Sequence, residues 1–260
     1  MKAAILTDTT KCIGCSECVL ACKKVNRLEN DLPRRWDSDD GLSARNWTSI
    51  IGEPDDKFVR KQCRHCLEPA CVAACPVGAM HKTEIGPVIY DSSKCLGCRY
   101  CMMACPFGIP RYEWSSVTPY VRKCILCYDR IKSGGQPACT EMCPTKATIF
   151  GDREELLAEA HRRISENPGK YLGKVWGETE VGGTSVLYIS DIDLSFLTYG
   201  EHLGSMPLLQ TTRVAMGAVP FTFLGVGAAM AGLYWIIGRR MKLQAEPVEE
   251  ESESKERPEE

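Results

Sequence analysis

The sequence has little net charge, few histidines and no apolar leader. Its 260 residues include 32 basic and 34 acidic side chains, which leaves a formal net charge of -2. It therefore lacks the basic excess with which nucleic-acid-binding domains attract phosphates. Only 4 histidines are present, and residues 1–11 contain no apolar signal region. The charged and apolar fractions are those of a globular protein, so cysteine is the residue type whose count is abnormal.

The 16 cysteines require a chemical explanation. Disulfide frameworks belong to small secreted domains, and this chain is larger than that class. Four-cysteine zinc sites need pairs of C-x2-C, which are abundant here. Iron–sulfur clusters need runs of three closely spaced cysteines, followed by a fourth that ligates a neighbouring cluster. The spacing of the cysteines distinguishes these three chemistries.

The cysteines fall into four runs of four, with none left over. The runs are Cys12, Cys15, Cys18, Cys22; Cys63, Cys66, Cys71, Cys75; Cys95, Cys98, Cys101, Cys105; and Cys124, Cys127, Cys139, Cys143. The first and third read C-x2-C-x2-C-x3-C, the spacing of bacterial two-cluster ferredoxins. The second widens one gap to four residues and the fourth widens it to eleven, and only the first run lacks a proline after its last cysteine. The runs predict four [4Fe–4S] clusters.

The last two cysteines of each run are four residues apart. On an α-helix this spacing places both side chains on one face, with their Cα atoms roughly 6 Å apart along the axis. We therefore expect a helix to carry each such pair, beginning with Cys18 and Cys22. A helix of this kind brings two clusters close enough for electron transfer, and a zinc site does not need one. Iron–sulfur clusters are favoured, and zinc and disulfides remain as alternatives.

One segment of the chain is repeated. Residues 5–15 match residues 88–98 at a constant offset of 83. Each copy has a short β-rich apolar run, a polar turn and a cysteine loop. Gly14 and Gly97 fit a loop whose backbone approaches a cluster closely. The repeat predicts an α+β fold with two intertwined bacterial-ferredoxin-like modules in residues 1–150.

Basic residues adjoin three of the runs. Lys11, Lys94 and Lys123 each precede the first cysteine of a run. A thiolate-ligated cluster is anionic, so a neighbouring ammonium raises its reduction potential, whereas a fully solvated lysine has no such role. His65 lies between two cysteines and is a candidate hydrogen-bond donor to a cluster sulfur.

The segments without cysteine carry weaker signals. Residues 26–60 are charged and read as loop, with Trp36 and Trp47 among them. Residues 151–213 are predicted to hold a helix capped by Asp152, then a glycine turn followed by a strand, and connecting segments.

Residues 214–237 form a run of 24 uncharged positions. At ~1.5 Å per residue, such a helix exceeds the ~30 Å hydrocarbon core of a bilayer, so we predict one transmembrane helix. Five basic residues lie within the twenty positions after this run and one lies within the twenty before it. The positive-inside rule then places the C-terminus in the cytoplasm and the cysteine domain on the outer side of the inner membrane. Residues 238–260 are predicted to form a disordered acidic tail.

This orientation conflicts with the missing leader, because unfolded thiols that reach an oxidising compartment are oxidised. We hypothesise that the clusters are inserted in the cytoplasm and that the folded chain is exported with a partner that bears a twin-arginine signal. A cysteine domain that faces the cytoplasm is the rival hypothesis.

Three cysteine-flanking or glycine-rich segments, residues 98–110, 137–144 and 182–188, accompany the runs. Together with the runs they resemble the four-cluster β subunits of membrane-bound molybdopterin oxidoreductases and [NiFe] hydrogenases, over nearly the whole chain. Residues 42–48 and the missing leader are most similar to the β subunit of respiratory formate dehydrogenase, since the related hydrogenase subunit usually carries its own export signal.

The resemblance implies that the four clusters have crossed ligand sets. These sets are site a, with Cys12, Cys15, Cys18 and Cys143; site b, with Cys22, Cys124, Cys127 and Cys139; site c, with Cys63, Cys66, Cys71 and Cys105; and site d, with Cys75, Cys95, Cys98 and Cys101. Residues 12–22 with 124–143 would form one module, and residues 63–105 the other.

The resemblance also implies conduction of electrons without catalysis. A catalytic α subunit would oxidise formate at a molybdenum or tungsten cofactor, and this chain would relay the electrons to a membrane cytochrome b γ subunit that reduces quinone. Nothing in the chain resembles a site for a substrate, a dinucleotide or a pterin. The alternatives are the same role in a hydrogenase or another molybdopterin enzyme, a stand-alone polyferredoxin, and a zinc-stabilised scaffold.

Overall fold

The computed structural model describes residues 1–28, 35–36, 40–114, 116–117, 120–198 and 203–245. The chain divides into two units, Met1–Gln210 and Thr211–Glu260. The strands of the first unit are β1 (Ala3–Asp8), β2 (Arg35–Trp36), β3 (Thr48–Glu53), β4 (Lys57–Gln62), β5 (Met80–Lys82), β6 (Val88–Tyr90), β7 (Arg111–Tyr112), β8 (Val121–Arg122), β9 (Thr148–Asp152) and β10 (Val186–Ile189). Its α-helices are α1 (Glu17–Val25), α2 (Ala70–Ala73), α3 (Tyr100–Met103), α4 (Tyr128–Lys132), α5 (Ala138–Glu141) and α6 (Arg153–Glu166).

Strand β1 is the centre of a three-stranded sheet with the order β10-β1-β9. It runs parallel to β10 and antiparallel to β9, so that Ile5 lies between Val186 and Phe150. All six of its residues are buried. Helix α6 covers this sheet, because its apolar residues, Leu156 among them, pack into the same cluster as Leu6 on β1. The first unit therefore extends past residue 150, and the predicted boundary there is wrong, since β10 is an integral strand of the sheet.

The predicted helix and strand of residues 151–213 are both present. The Asp152 side chain accepts a hydrogen bond from the backbone N–H of Glu154 and caps α6, as the sequence indicates. After Gly182 and Gly183, which both have positive φ, the chain enters β10.

A second sheet lies in the segment that was expected to be loop. Strands β3 and β4 form an antiparallel hairpin in which Thr48 pairs with Gln62 and Glu53 pairs with Lys57. Its short partner β2 runs parallel to β3. The prediction of loop is therefore wrong for residues 48–53 and 57–60. The sequence conceals these strands because β4 buries Arg60, Lys61 and Gln62, and buried polar residues do not produce the alternating apolar pattern of a strand. The side chain of Trp36 lies outside the described residues.

The repeated segment has the same local structure in both copies. In the first, β1 leads into a 3₁₀ turn over Thr9–Lys11, where the Asp8 side chain accepts from the N–H of Thr10. In the second, β6 leads into a 3₁₀ turn over Ser92–Lys94, where Asp91 accepts from Ser93. The glycine of each cysteine loop then has positive φ, so the repeat in sequence corresponds to a repeat in backbone structure.

Helix α7 (Leu208–Ala245) extends through the described part of the second unit. By its length and composition it is able to cross a membrane. It contains the predicted span of residues 214–237 but begins earlier and ends later. The prediction of disorder is wrong for residues 238–245, which continue the helix because arginine, lysine, leucine and glutamine favour helical structure. Residues 246–260 lie outside the described residues.

Candidate metal centres

All sixteen cysteines lie in the described residues, and each of them is a free thiol. The described residues therefore contain no disulfide framework. The cysteines differ in exposure: Cys15 and Cys98 are exposed, and the remaining fourteen are buried or partly buried. A buried cysteine without a disulfide partner acts either as a small apolar residue or as a metal ligand.

Two cavities are each lined by a complete set of four cysteines. The first is lined by Cys12, Cys15, Cys18 and Cys143. The second is lined by Cys22, Cys124, Cys127 and Cys139. In each case the first and fourth runs contribute together, so the structure brings together the residues that were expected at sites a and b.

The remaining eight cysteines group in the same way through their electrostatic influence on one another. Burial raises the pKa of Cys66, and the thiolates of Cys63, Cys105 and Cys71 raise it further. These four residues are the expected site c. Burial also raises the pKa of Cys101 to about 11, with contributions from Cys75, Cys95 and Cys98. Those four residues are the expected site d.

Neighbouring sites also influence one another through single pairs of cysteines. Burial raises the pKa of Cys18 in site a, and Arg60 lowers it. The next largest effect is that of Cys139 in site b, which raises this pKa. Burial raises the pKa of Cys124 in site b, and Cys63 in site c raises it next. Similarly, Cys101 in site d adds to the raised pKa of Cys71 in site c, where burial is the main cause. Each of these influences connects two of the expected sets: a with b, b with c, and c with d.

The expectation that a helix carries the last two cysteines of every run is correct only for the first run. Helix α1 includes both Cys18 and Cys22. Helices α2, α3 and α5 each end at least one residue before the fourth cysteine of their run. The fourth cysteine of those runs precedes a proline, which disfavours the helical conformation of the residue before it. In the first run Lys23 stands at that position, and α1 continues to Val25.

The cysteine sites fit a polynuclear cluster better than a single metal ion. Among the described residues, no three His, Cys, Asp or Glu side chains lie close enough together to hold one ion, whereas a zinc site needs four ligands around a single point. Backbone N–H groups donate to the thiol sulfurs, from Leu126 to Cys124 at 3.3 Å and from Gly97 to Cys95 at 3.4 Å. Hydrogen bonds to the sulfurs are a main determinant of cluster potential.

The three lysines that precede a run have different environments. The ammonium of Lys123 is buried and donates to the backbone carbonyls of Val88 and Cys124, the latter at 3.0 Å. Lys11 and Lys94 have 40% and 58% exposed side chains and lie within 4 Å of Asp8 and Asp91. Of these three lysines, Lys123 is therefore the one whose charge is held in the interior next to cysteine ligands.

His65 is fully buried beside site c. Its Nδ1 accepts a hydrogen bond from the N–H of Val88 at 3.0 Å, so the ring proton is on Nε2. Burial lowers the pKa of His65 far below its usual value, and Lys123 and Lys82 lower it further, so the ring is neutral. Nε2 has no hydrogen-bond partner among the described residues, which is consistent with the predicted donation to a cluster sulfur.

Sequence reasoning missed one residue of these sites. Arg60 on β4 lines the cavity of site a together with its four cysteines. Arg60 lies in a charged stretch for which the sequence predicts loop. Only the pairing of β4 with β3 places Arg60 in the interior.

Eight of the sixteen free cysteines line two cavities in sets of four, and the sulfurs of Cys95 and Cys124 accept backbone N–H donors; this is the donor chemistry of an iron–sulfur protein. The family model of the 4Fe-4S dicluster domain matches residues 55–153. A protein of Nitratidesulfovibrio vulgaris is 41% identical over 254 residues, covering 93% of this chain and 68% of the relative. The nitrate-inducible formate dehydrogenase iron–sulfur subunit of Escherichia coli K12 is 35% identical over 248 residues, 89% of this chain and 83% of the relative.

A further relative is the hydrogenase-2 operon protein HybA of Escherichia coli O157:H7. It is 37% identical over 228 residues, which cover 72% of this chain and 70% of the relative. The chain belongs to this family of 4Fe–4S electron-transfer subunits, which includes iron–sulfur subunits of formate dehydrogenases and the hydrogenase-2 protein.

Proposed function

We propose that this chain binds four [4Fe–4S] clusters and carries single electrons from a formate-oxidising catalytic subunit to a membrane subunit that reduces quinone. The arrangement of all sixteen cysteines into four sets of four carries the proposal. Each cluster supplies a one-electron acceptor and donor, and the chain itself supplies the ligands, the spacing and the surrounding charge. We assign the ligands as sites a, b, c and d, in two intertwined modules.

Electrons follow the succession a, b, c, d, in one direction or the other. This order is supported by the three pairs of cysteines that act on each other across neighbouring sites: Cys18 with Cys139, Cys124 with Cys63, and Cys71 with Cys101. The two exposed cysteines, Cys15 and Cys98, belong to the two terminal sites. Sites a and d are therefore the points at which electrons enter and leave.

Exposed apolar residues lie close in sequence to the exposed cysteine of each terminal site. Near Cys98 the exposed residues are Leu96, Tyr100 and Met103, the last of them 86% exposed. Near Cys15 the neighbouring Ile13 is exposed. Adjacent exposed apolar side chains are typical of protein interfaces, so each terminal site is the docking surface of one partner subunit.

Helix α7 anchors the chain in the inner membrane. The positive charge after the span supports a cytoplasmic C-terminus and a cluster domain on the outer side. The exposed Ser205 precedes the helix, so the sidedness is tested by Ser205→Cys in the assembled complex. An impermeant thiol reagent applied to intact cells should label this variant more than the parent chain. Equal labelling of the two in intact cells, with extra labelling of the variant only after lysis, would place the domain in the cytoplasm.

The electron donor is tested by the visible absorbance of the intact complex in mild detergent, before and after formate and then hydrogen are added. We expect formate to bleach the brown absorbance of the clusters. Bleaching by hydrogen alone would assign the chain to a hydrogenase, the second candidate that the similarity to HybA supports. A colourless complex without iron would refute the binding of clusters altogether.

A further inference from the structure

Arg60 is a charge buried without an ordinary partner. Its side chain is 1% exposed, and none of its three guanidinium nitrogens has an oxygen or nitrogen partner among the described residues. An isolated charge in the interior is strongly unfavourable, and buried guanidinium groups are therefore paired with anions. The side chain thus requires a counter-charge that the oxygen and nitrogen atoms of the described residues do not supply.

The surroundings of Arg60 identify that counter-charge. The side chain lines the cavity of site a with Cys12, Cys15, Cys18 and Cys143. Burial alone would lower the pKa of Arg60, but the thiolates of Cys139 in site b and Cys18 in site a raise it above its ordinary value. The guanidinium therefore acts on cysteines of two neighbouring sites at once.

The backbone of Arg60 is held in place by two independent contacts. Strand β4 is paired with β3 at this point, with Arg60 opposite Ile50. The backbone carbonyl of Arg60 accepts a hydrogen bond from the buried Tyr188 hydroxyl on β10 at 2.9 Å. These contacts attach the residue to both sheets, so its position relative to the cysteines is set by the fold.

Arg64, the other large buried arginine nearby, has a different environment. Its guanidinium carbon lies 4.5 Å from the ring centroid of Tyr188 and 5.7 Å from that of Phe107. It lines neither of the cavities of sites a and b. The charge of Arg64 is therefore stabilised by aromatic faces, whereas Arg60 has the thiolates of two sites.

We propose that Arg60 is the shared counter-charge of sites a and b, and that it raises the reduction potentials of both clusters. The proposal rests on the proposed function. Reduction adds one electron to an already anionic cluster, so a fixed positive charge stabilises the reduced form more than the oxidised form. The planar guanidinium has five N–H donors, enough to address sulfurs of two sites. Because arginine stays protonated, Arg60 itself neither takes up nor releases a proton when an electron arrives.

The test is a redox titration of the intact complex, followed by electron paramagnetic resonance, for the parent chain and for Arg60→Gln. We expect two of the four midpoint potentials to fall and the other two to stay unchanged. The control is Lys11→Gln, which removes an exposed charge next to Cys12 that already pairs with Asp8. This control should leave all four potentials unchanged. Arg60→Lys should retain part of the effect, because it keeps the charge but has fewer donors.

Four unchanged potentials in an Arg60→Gln complex with full iron content would overturn the proposal and leave the cluster assignment intact. A parent complex without four clusters' worth of iron would instead refute the proposed function. If Arg60→Gln fails to assemble, the parent complex labelled with ¹⁵N-arginine decides the matter. Pulsed paramagnetic resonance of the reduced clusters should then detect a guanidinium nitrogen coupling, and its absence would overturn the proposal.

Discussion

At the scale of single residues, Lys123 is a buried charge that acts on cysteines of the proposed site c, as Arg60 acts on cysteines of the proposed sites a and b. Its thiolate neighbours include Cys71 and Cys105, whose pKa is raised mainly by burial and lowered in part by this lysine. The corresponding lysine of the third run, Lys94, is exposed. The pair therefore permits a comparison between a buried and a solvated charge at equivalent positions of two runs.

We expect Lys123→Met to lower the reduction potential of one cluster, that of site c, because a buried cation is removed. Loss of the two hydrogen bonds to backbone carbonyls should also destabilise the protein by about 1–3 kcal/mol for each carbonyl left without a partner. Redox titration and thermal unfolding measure the two effects. Lys94→Met should change neither, and equal shifts of potential in the two variants would contradict the distinction.

The crossed ligand sets are tested by comparing three serine variants. Cys22 belongs to the first run and Cys124 to the fourth, but both line one cavity. Cys22→Ser and Cys124→Ser should therefore alter the same component of the paramagnetic resonance spectrum. Cys18→Ser, which changes the same run as Cys22 but the other cavity, should alter a different component. Loss of one shared component in Cys18→Ser and Cys22→Ser would mean that each run binds its own cluster.

At the scale of elements, the helices at the four runs differ because of the residue after the fourth cysteine. We expect Lys23→Pro to shorten α1 and to destabilise the protein by about 3 kcal/mol or more, as proline does inside a helix. The matched control is Lys23→Ala, which removes only the side chain and its hydrogen bond to the Arg45 carbonyl at 3.1 Å. Thermal unfolding of the two complexes measures the difference. Equal midpoints would show that the extension of α1 contributes nothing to stability.

Elements with a local signal were predictable from the sequence. Three features each indicate the structure of the segment in which they lie. They are the cap and apolar residues of α6, the glycine turn before β10 and the uncharged run within α7. The hairpin of β3 and β4 was not predictable in this way. Lys61 on β4 forms an ion pair with Asp40 at 3.3 Å, and the thiolates that act on Arg60 belong to the first and fourth runs. Partners so far away in sequence make a polar segment suitable for the interior, and no local pattern contains them.

For the cysteine sites, the sequence predicted the number of ligands but not their arrangement in space. The number of cysteines and their spacing predicted four sets of four, because ligand number is a property of composition. The exposure of Cys15 and Cys98, the position of Arg60 in a cavity and the influence of Cys63 on Cys124 were not predictable. Each of them depends on how the runs pack against one another.

At the scale of the whole molecule, the cysteines are part of the core. Cys18, Cys63, Cys124 and Cys139 lie in the main cluster of buried apolar residues with Ile5 and Tyr188. Burial raises the pKa of Cys18 and of Cys71 to about 12, so these thiols are neutral at pH 7 without iron, and metal binding must release their protons. Cluster binding is thus coupled to folding and to pH.

We expect removal of iron by a chelator under anaerobic conditions to unfold the first unit. The clusters connect segments distant in sequence, and a core that contains so many empty ligand sites cannot pack densely. Near-ultraviolet circular dichroism should be lost and a hydrophobic dye should bind. Native tertiary signals that persist in an iron-free chain would contradict this dependence.

Strand β1 precedes β10 by about 180 residues in the sequence, although the two are neighbours in one sheet. During synthesis the central strand consequently waits until β10 has left the ribosome before its sheet can form. Contacts of such high sequence separation slow folding and leave the intermediate exposed. During that interval Cys12 and Cys15 emerge long before Cys143, which lines the same cavity. The first unit therefore closes late, and the segments that have already been synthesised must be protected and supplied with iron until β10 is available.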